Sequence, residues 1–466
     1  MAPSFTDNTR VLPQELINLI LDKLAFQMPD EESLYTLRAC SLVSRSFHSE
    51  SRRHIFSEIE FIIDENTQKR ASKLRSVLKY KNAELASVTR TLKLVLPFHV
   101  AMGGAQNNST RSTFLMKLGV KENGWLKLVD VLKSSNLESL TVAVRARSSY
   151  QQLVNIYMDP GFFQICSKHN LKSLRLVNIG NVPASLIIEA FSSFYLSNLE
   201  LCNISITAQD ESSRSLSDQH SKNILSKINR LEMRRVLCLV PSQVSALFKC
   251  LNFPLLQTLV VSVPCYPEAA KELWDFIQGV APTLATLELE CGARPVVGFF
   301  PTEFVWLSNL GSLRKLKFAA RSYSTGDLSS QLRLLNDLIS SITAPVGIES
   351  IDFHFTIQSY AGYPVRQHRN DRIPEATWKA DPGWAPLDRL LIGEMLVNLR
   401  TINLNVEFFY HDPKLLKARH IAAGPNSSRD ARAILPVTST SPSIALSLDI
   451  STVCSPQSME ASLYID

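Results

Sequence analysis

No uninterrupted apolar run in this sequence approaches the roughly 18 residues that a membrane span requires. The opening "MAPSFTDNTR" holds no apolar stretch of the kind that marks a secretory signal. No C-x-x-C pair occurs, and no Cys/His group stands at zinc spacing: the eight cysteines are scattered from Cys40 to Cys454. No Lys/Arg block or basic helix stands out, and a net charge of +6 over 466 residues is mild. These absences predict an intracellular chain, cytoplasmic or nuclear, with reduced thiols and no membrane anchor, nucleic-acid partner, metal or cofactor. The Asn-x-Ser/Thr matches at Asn107, Asn108, Asn203 and Asn426 then signal no glycosylation.

Recognisable catalytic motifs are missing too. There is no G-x-S-x-G, no H-E-x-x-H, no G-x-x-x-x-G-K and no Gly-rich dinucleotide turn. His354 and Asp352 in "IDFHF" are two apart on a predicted strand, so both point outward between inward-facing Ile351, Phe353 and Phe355. They are read as surface polar residues, and no catalytic residue is assigned.

What the sequence does contain begins with "RVLPQELINLILDKLA", residues 10 to 25. Pro13 suits a first helical position, because its fixed φ is helical and its missing N–H would have no intrahelical partner. On a helical wheel Leu16, Ile17, Leu19, Ile20, Leu21 and Leu24 cover an arc of roughly 200°, about twice the stripe a surface helix needs. Either the helix is buried on nearly every side, or part of the arc is kept for a partner. The following residues to about 56 fit two more short helices, with Leu34, Leu37, Ala39, Val43 and Phe47 at helical spacing. A unit this small sits near the lower limit for independent folding, which favours the partner.

Three segments in register, "LPQELINLILDKL", "LRACSLVSRSF" and "SRRHIF", resemble the F-box as it occurs in many fungal proteins. Phe47 stands where Trp is commoner, and "AFQMPDEES" makes the first turn longer than usual. The resemblance implies a three-helix module that binds the Skp-type adaptor of cullin-RING ubiquitin ligases. On the matching positions, the contacts it implies are Leu12, Pro13, Leu16, Ile17, Ile20, Val43 and Ser44.

Beyond the helices a short strand-like pattern recurs, as in "NLKSLRL", "LLQTLVV", "LATLEL" and "LRKLKF". Its central apolar residues are Ile59, Leu140, Leu174, Leu199, Leu231, Leu259, Leu287, Leu316, Ile351 and Ile402, with a weaker copy at Leu92. From Leu231 onward they are 28, 28, 29, 35 and 51 residues apart, the long end of the leucine-rich-repeat range followed by insertions. Helix-like segments such as "YPEAAKELWDFIQGVAP" and "DLSSQLRLLNDLISS" lie between strands, with Gly279 placed to end the former helix.

This alternation predicts an α/β fold: an irregular leucine-rich-repeat solenoid with a parallel concave sheet and helices outside. The residues between the strand leucines are Ser, Arg, Glu, Lys and Thr, which suit an open sheet face better than the covered sheet of a doubly wound domain. Asn178, Asn203 and Cys291 follow the last strand leucine by two rather than the usual three residues, so the spacing does not predict a regular Asn ladder.

The predicted organisation is a flexible N-terminus at 1–10, an F-box at 11–56, a solenoid with insertions at 57–410 and a flexible Ser/Thr/Pro-rich tail at 411–466. The insertion near 359–386 interleaves Tyr360, Tyr363, Trp378 and Trp384 with Arg366, Arg369 and Arg372, a composition typical of interface hot spots. These aromatics and arginines are expected to hold a target protein, unless the loop tucks its aromatics onto the solenoid. The whole predicts the target-recognition subunit of a ubiquitin ligase, itself not an enzyme. The alternative is an interaction scaffold whose first helices merely cap the solenoid.

Overall fold

The computed structural model describes residues 12–26, 31–62, 67–79, 87–97, 136–145, 154–155, 170–180, 182–183, 187, 195–207, 224–238, 251–263, 267–292, 307–322, 325–359, 378–410 and 433–454. The chain is a mixed α/β protein that divides into two compact units.

The first unit opens with three short helices, α1 (Gln14–Phe26), α2 (Glu31–Cys40) and α3 (Arg45–Ser57). Ile17 and Leu21 of α1 meet Leu37 of α2 in a small core, and Phe47 and Ile55 of α3 pack against it. Pro13 starts α1 as its fixed φ suggests, its carbonyl accepting the N–H groups of Leu16 and Ile17. Ser44 caps α3 by accepting the Phe47 N–H at 3.4 Å. No linker follows. Helix α3 runs straight into β1 (Glu58–Ile62), whose residue Ile59 pairs with Leu92 of the parallel strand β2 (Thr91–Pro97). Helix α4 (Thr67–Lys79) buries Ala71 and Leu78, and β3 (Ser139–Arg145) is the next strand in order. The predicted boundary after residue 56 is therefore not a division between compact units, because helices and first strands share one.

The second unit is built on nine parallel strands in strict sequence order: β4 (Ser173–Val177), β5 (Asn198–Cys202), β6 (Arg230–Arg234), β7 (Thr258–Ser262), β8 (Thr286–Cys291), β9 (Lys315–Ser322), β10 (Ser350–Ser359), β11 (Thr401–Tyr410) and β12 (Ala445–Cys454). The register is set by the apolar pattern. Leu174 pairs with Leu199, Leu199 with Leu231, and the line continues through Leu259, Leu287, Leu316, Ile351 and Ile402 to Leu446. From Leu174 to Ile402 none of them is more than 1 % exposed. A one-residue slip would turn this entire row outward, so burial of one face fixes the pairing.

Helices lie between the later strands. Helix α5 (Pro267–Val280) buries Trp274 and Ile277, and continues one residue past Gly279 rather than ending there. Helix α6 (Thr325–Ser340) buries Leu328, Leu332, Leu335 and Leu338 at helical spacing. Helix α7 (Trp384–Leu391) packs on α6 and on the short helix α8 (Pro436–Thr440).

Helix α8 and β12 correct the reading of a flexible tail for residues 433–454, while the rest of 411–466 lies outside the described residues. Asp388 of α7, 2 % exposed, accepts the N–H groups of Val437 at 2.8 Å and Thr438 at 2.9 Å, capping a helix whose free amides would otherwise go unpaired. Strand β12 then pairs with β11 along all ten residues. The composition is rich in Ser and Thr, but the alternation in "ALSLDISTV" supplies a strand face, which composition does not register. The stretch 1–10 lies outside the described residues.

Three strand ends carry a left-handed residue: Asn178 at φ 60°, Asn203 at φ 51° and Arg235 at φ 52°. At each the chain turns off the main sheet, and the short strands Val182–Pro183, Ser205–Thr207 and Leu237–Cys238 pair into a second small parallel sheet. Asparagine adopts this conformation more readily than most residues. A single side-chain bond links the two asparagines, and Arg235 takes the third turn, in keeping with the absence of a regular Asn ladder from the spacing. Asn203 Nδ2 donates to Asn178 Oδ1 at 2.9 Å, and Asn178 Nδ2 to the Val144 carbonyl at 2.9 Å.

Candidate functional site

Two accessible surfaces, one in each unit, concentrate the residues that the sequence singles out. In the first unit the apolar arc of α1 is split. Ile17 and Leu21 point into the helical core, while Leu16, Leu19 and Ile20 are 46 %, 52 % and 45 % exposed. Leu12 also stands exposed one turn ahead of Leu16, making a half-exposed stripe at i, i+4, i+7 and i+8. Leu42 and Val43, in the turn between α2 and α3, are more exposed still, and Tyr35 joins them on α2. Single exposed apolar side chains are ordinary, but a stripe of leucines on one helix face is not.

Among the residues that the F-box resemblance implies, Leu12, Pro13, Leu16, Ile20 and Val43 are therefore accessible. Ile17 is not: at 4 % exposure it belongs to the core, because its side chain closes over Leu37 and Leu21. Ser44 is exposed, with its hydroxyl engaged as the cap of α3. Leu19, Tyr35 and Leu42 share this exposure and lie outside the positions that the resemblance implies. The wheel contained Leu19, but nothing local distinguishes its outward direction from the inward direction of Leu21.

The expected target-binding loop fares differently. Trp378 and Trp384 are 1 % and 2 % exposed, so neither offers a binding surface. Their rings meet edge to face at 5.8 Å, Trp384 lies against Phe355 at 5.6 Å, and Trp378 lies against Phe408 at 6.3 Å. The Trp384 indole N–H donates to the Trp378 carbonyl at 2.8 Å. Large aromatics gain most when buried with their one donor paired, which is how the fold uses Trp384, whereas the buried Trp378 indole N–H makes no hydrogen bond. Tyr360, Tyr363, Arg366 and Arg369 lie outside the described residues.

In the second unit the polar residues between the strand leucines form an open face. On β9, Lys315, Lys317, Ala319 and Arg321 alternate with buried Leu316, Phe318, Ala320 and Ser322. A depression of about 410 Å³ opens there, with small Ala319 among Arg234, Glu288, Lys317, Arg321 and His354. Opposite charges pair between neighbouring strands and, for Arg234 and Glu288, across the intervening β7. Arg175 pairs with Glu200 at 2.7 Å, Arg234 with Glu288 at 3.1 Å, Lys317 with Glu288 at 3.7 Å and Arg321 with Glu290 at 3.6 Å. Asp352 takes Lys315 at 2.6 Å and the Asn403 amide at 2.7 Å. Such mutual pairing holds the side chains in place without giving the face one sign of charge.

Neither Cys202 of β5, on the open face, nor Cys291 of β8, on the buried face, is activated as a thiolate. Burial, reinforced by Glu200 and Glu290, pushes the Cys202 thiol up to about 11. Burial also raises Cys291, with Glu290 adding to it. A reactive cysteine needs the reverse shift. Burial and nearby Glu232 raise Glu200 against the opposing pull of Arg175. Asp352 and His354 do not make a dyad: Asp352 is engaged by Lys315 and Asn403, while His354 lies 3.2 Å from the Thr356 hydroxyl and 3.8 Å from Glu407. Among the described residues no helix is long and apolar enough to cross a membrane.

No known protein-family model matches the chain, and no curated protein is significantly similar to it.

Proposed function

We propose that this chain is a target-recognition adaptor of a cullin-RING ubiquitin ligase. In this reading α1 to α3 act as an F-box that docks a Skp-type adaptor, and the strands of the second unit belong to a leucine-rich-repeat-like solenoid whose open face holds a target protein. The observation that carries it is the divided arc of α1. A helix that only completes a core would hide its leucines, whereas Leu12, Leu16, Leu19 and Ile20 present an apolar stripe to solvent on the segment with the F-box resemblance. Burying such a stripe under a partner recovers about 25 cal/mol per Å² of apolar surface.

The target side rests on the sheet face around Ala319, which combines a depression with fixed donors and acceptors of both signs. Trp378 and Trp384 support it from beneath, as core residues. The chain itself contributes binding and no bond chemistry.

A capping scaffold that recruits no ligase is the second reading, favoured by the direct run of α3 into β1. Capping explains the missing linker but leaves the outward stripe without a purpose. Co-purification of the full chain with a purified Skp-type adaptor separates the two. Replacing Leu16 and Ile20 with Glu is expected to abolish capture while leaving the melting temperature close to wild type. Capture at wild-type level by that variant, or none by the wild-type chain, would favour the cap.

A further inference from the structure

Three ligating side chains converge between α1 and α3. Glu50 and His54 stand four residues apart on α3 and so share a face, and Asp22 reaches them from α1. His54 Nε2 lies 3.1 Å from Asp22 Oδ1 and 3.8 Å from Glu50 Oε1. All three donor atoms fall within 4.8 Å of one another. His54 Nε2 is shut off from solvent and makes no hydrogen bond: Asp22 stands at ion-pair distance, which holds it only when the imidazole is protonated, and Glu50 Oε1 lies too far away to bond. A buried nitrogen left in that state is costly, and a cation on its lone pair would satisfy it.

We propose that Asp22, Glu50 and His54 form a zinc(II) site that cross-links the first and third helices. Around a tetrahedral zinc ion with bonds of about 2.0–2.2 Å, neighbouring ligand atoms stand roughly 3.3–3.5 Å apart. The two distances from His54 fall on either side of that value. One imidazole with two carboxylates suits a borderline transition metal, whereas calcium takes six to eight oxygen ligands. Water would complete the fourth position. Arg53, 3.6 Å from the same Glu50 oxygen, is the competing cation that metal must displace. The fold gives such a cross-link a purpose, since among the described residues the helical core is centred on three buried apolar side chains, Ile17, Leu21 and Leu37. The sequence hides the site, because its third ligand arrives from another helix and no Cys/His spacing marks it.

The test uses the full chain, stripped with EDTA and titrated with zinc chloride by calorimetry, with cobalt(II) absorption as a second readout of ligand geometry. One zinc ion should bind and raise the melting temperature. Asp22→Asn and His54→Gln should each weaken binding more than about tenfold, a loss that even partners outside the ligand set produce in other metal sites. Asp22 is 61 % exposed, so its variant is expected to fold even if the His54 variant does not. Absence of binding at millimolar zinc overturns the proposal. So does equal affinity in wild type and Asp22→Asn, which would leave an ordinary Asp22–His54 ion pair and place the zinc on other histidines.

Discussion

Asn203 donates its side-chain amide to the Asn178 carbonyl oxygen at 2.9 Å, across two buried residues that both hold the left-handed conformation. The same residues accept further order through their backbones, since the Asn178 N–H donates to the Cys202 carbonyl and the Asn203 N–H to that of Arg234. Successive turns of the chain are thereby tied at the point where each leaves the sheet. Asn203→Ala should destabilise the protein by about 1–3 kcal/mol, because it strands a buried acceptor. Asn203→Gly loses the same bond without the side-chain penalty at φ 51°, so it should be the milder of the two. Denaturant midpoints of the pair measure the two contributions separately.

Ile17 and Leu16 are adjacent in sequence and opposite in role. Ile17→Ala should lower stability by about 2–5 kcal/mol through the cavity it leaves beside Leu21 and Leu37. Leu12→Ala with Pro13→Ala should leave melting nearly unchanged and weaken adaptor capture by roughly thirtyfold, the consequence of losing about 2 kcal/mol at an interface anchor. If the double variant instead unfolds and still binds, the inward and outward faces of α1 have been exchanged.

Leu287 lies at 0 % exposure in the middle of the register row, between Leu259 and Leu316. Leu287→Asp places an unpaired carboxylate in that row, so the second unit is expected to lose its cooperative melt. A circular dichroism melt indistinguishable from wild type would place Leu287 on the open face and overturn the register.

Trp384→Ala should cost about 3–5 kcal/mol, since the ring fills space between Phe355 and Trp378 and its N–H is paired inside. Trp384→Phe keeps most of the contact area and forfeits the hydrogen bond, so its loss should be smaller. Retained stability in Trp384→Ala, coupled with loss of captured targets, would restore the tryptophans to a binding surface.

Asp352 titrates below its usual 3.8: burial pushes it up, but hydrogen bonds from Lys315 and Asn403, with the charges of Lys315 and Lys317, outweigh that. The folded state therefore favours the carboxylate. Its stabilisation is present above 3.8 and disappears as pH falls from there through the lower folded value. Urea melts between about pH 7 and about pH 3 should show wild type and Asp352→Asn differing at neutral pH and converging in acid. A constant difference across that window would mean that the carboxylate charge contributes nothing.

Much of the second unit is determined locally. Each recurring strand leucine from Leu174 to Ile402 occupies a strand and pairs in register with the next. Period-two alternation with one buried face leaves a single acceptable pairing, so the pattern carries the geometry. The same holds for the start of α1, which Pro13 marks and the backbone then uses, whereas the capping role of Ser44 at α3 emerges from the structure. Tertiary structure decided what local pattern leaves degenerate. Hydrophobicity gives Leu16, Ile17 and Ile20 the same value, and only contact with Leu37 makes Ile17 core while the others face solvent. The tryptophans of the insertion fit an interface or a core equally well by composition, and Phe355 and Phe408, brought together by strand pairing, supply the core. Within the Ser/Thr-rich tail, α8 is held by a buried Asp388 from a helix 49 residues earlier, which accepts its first amides, an interaction with no local signature. Asp22, Glu50 and His54 come together for the same reason: side-chain clusters are created by packing, and their members need share neither segment nor period.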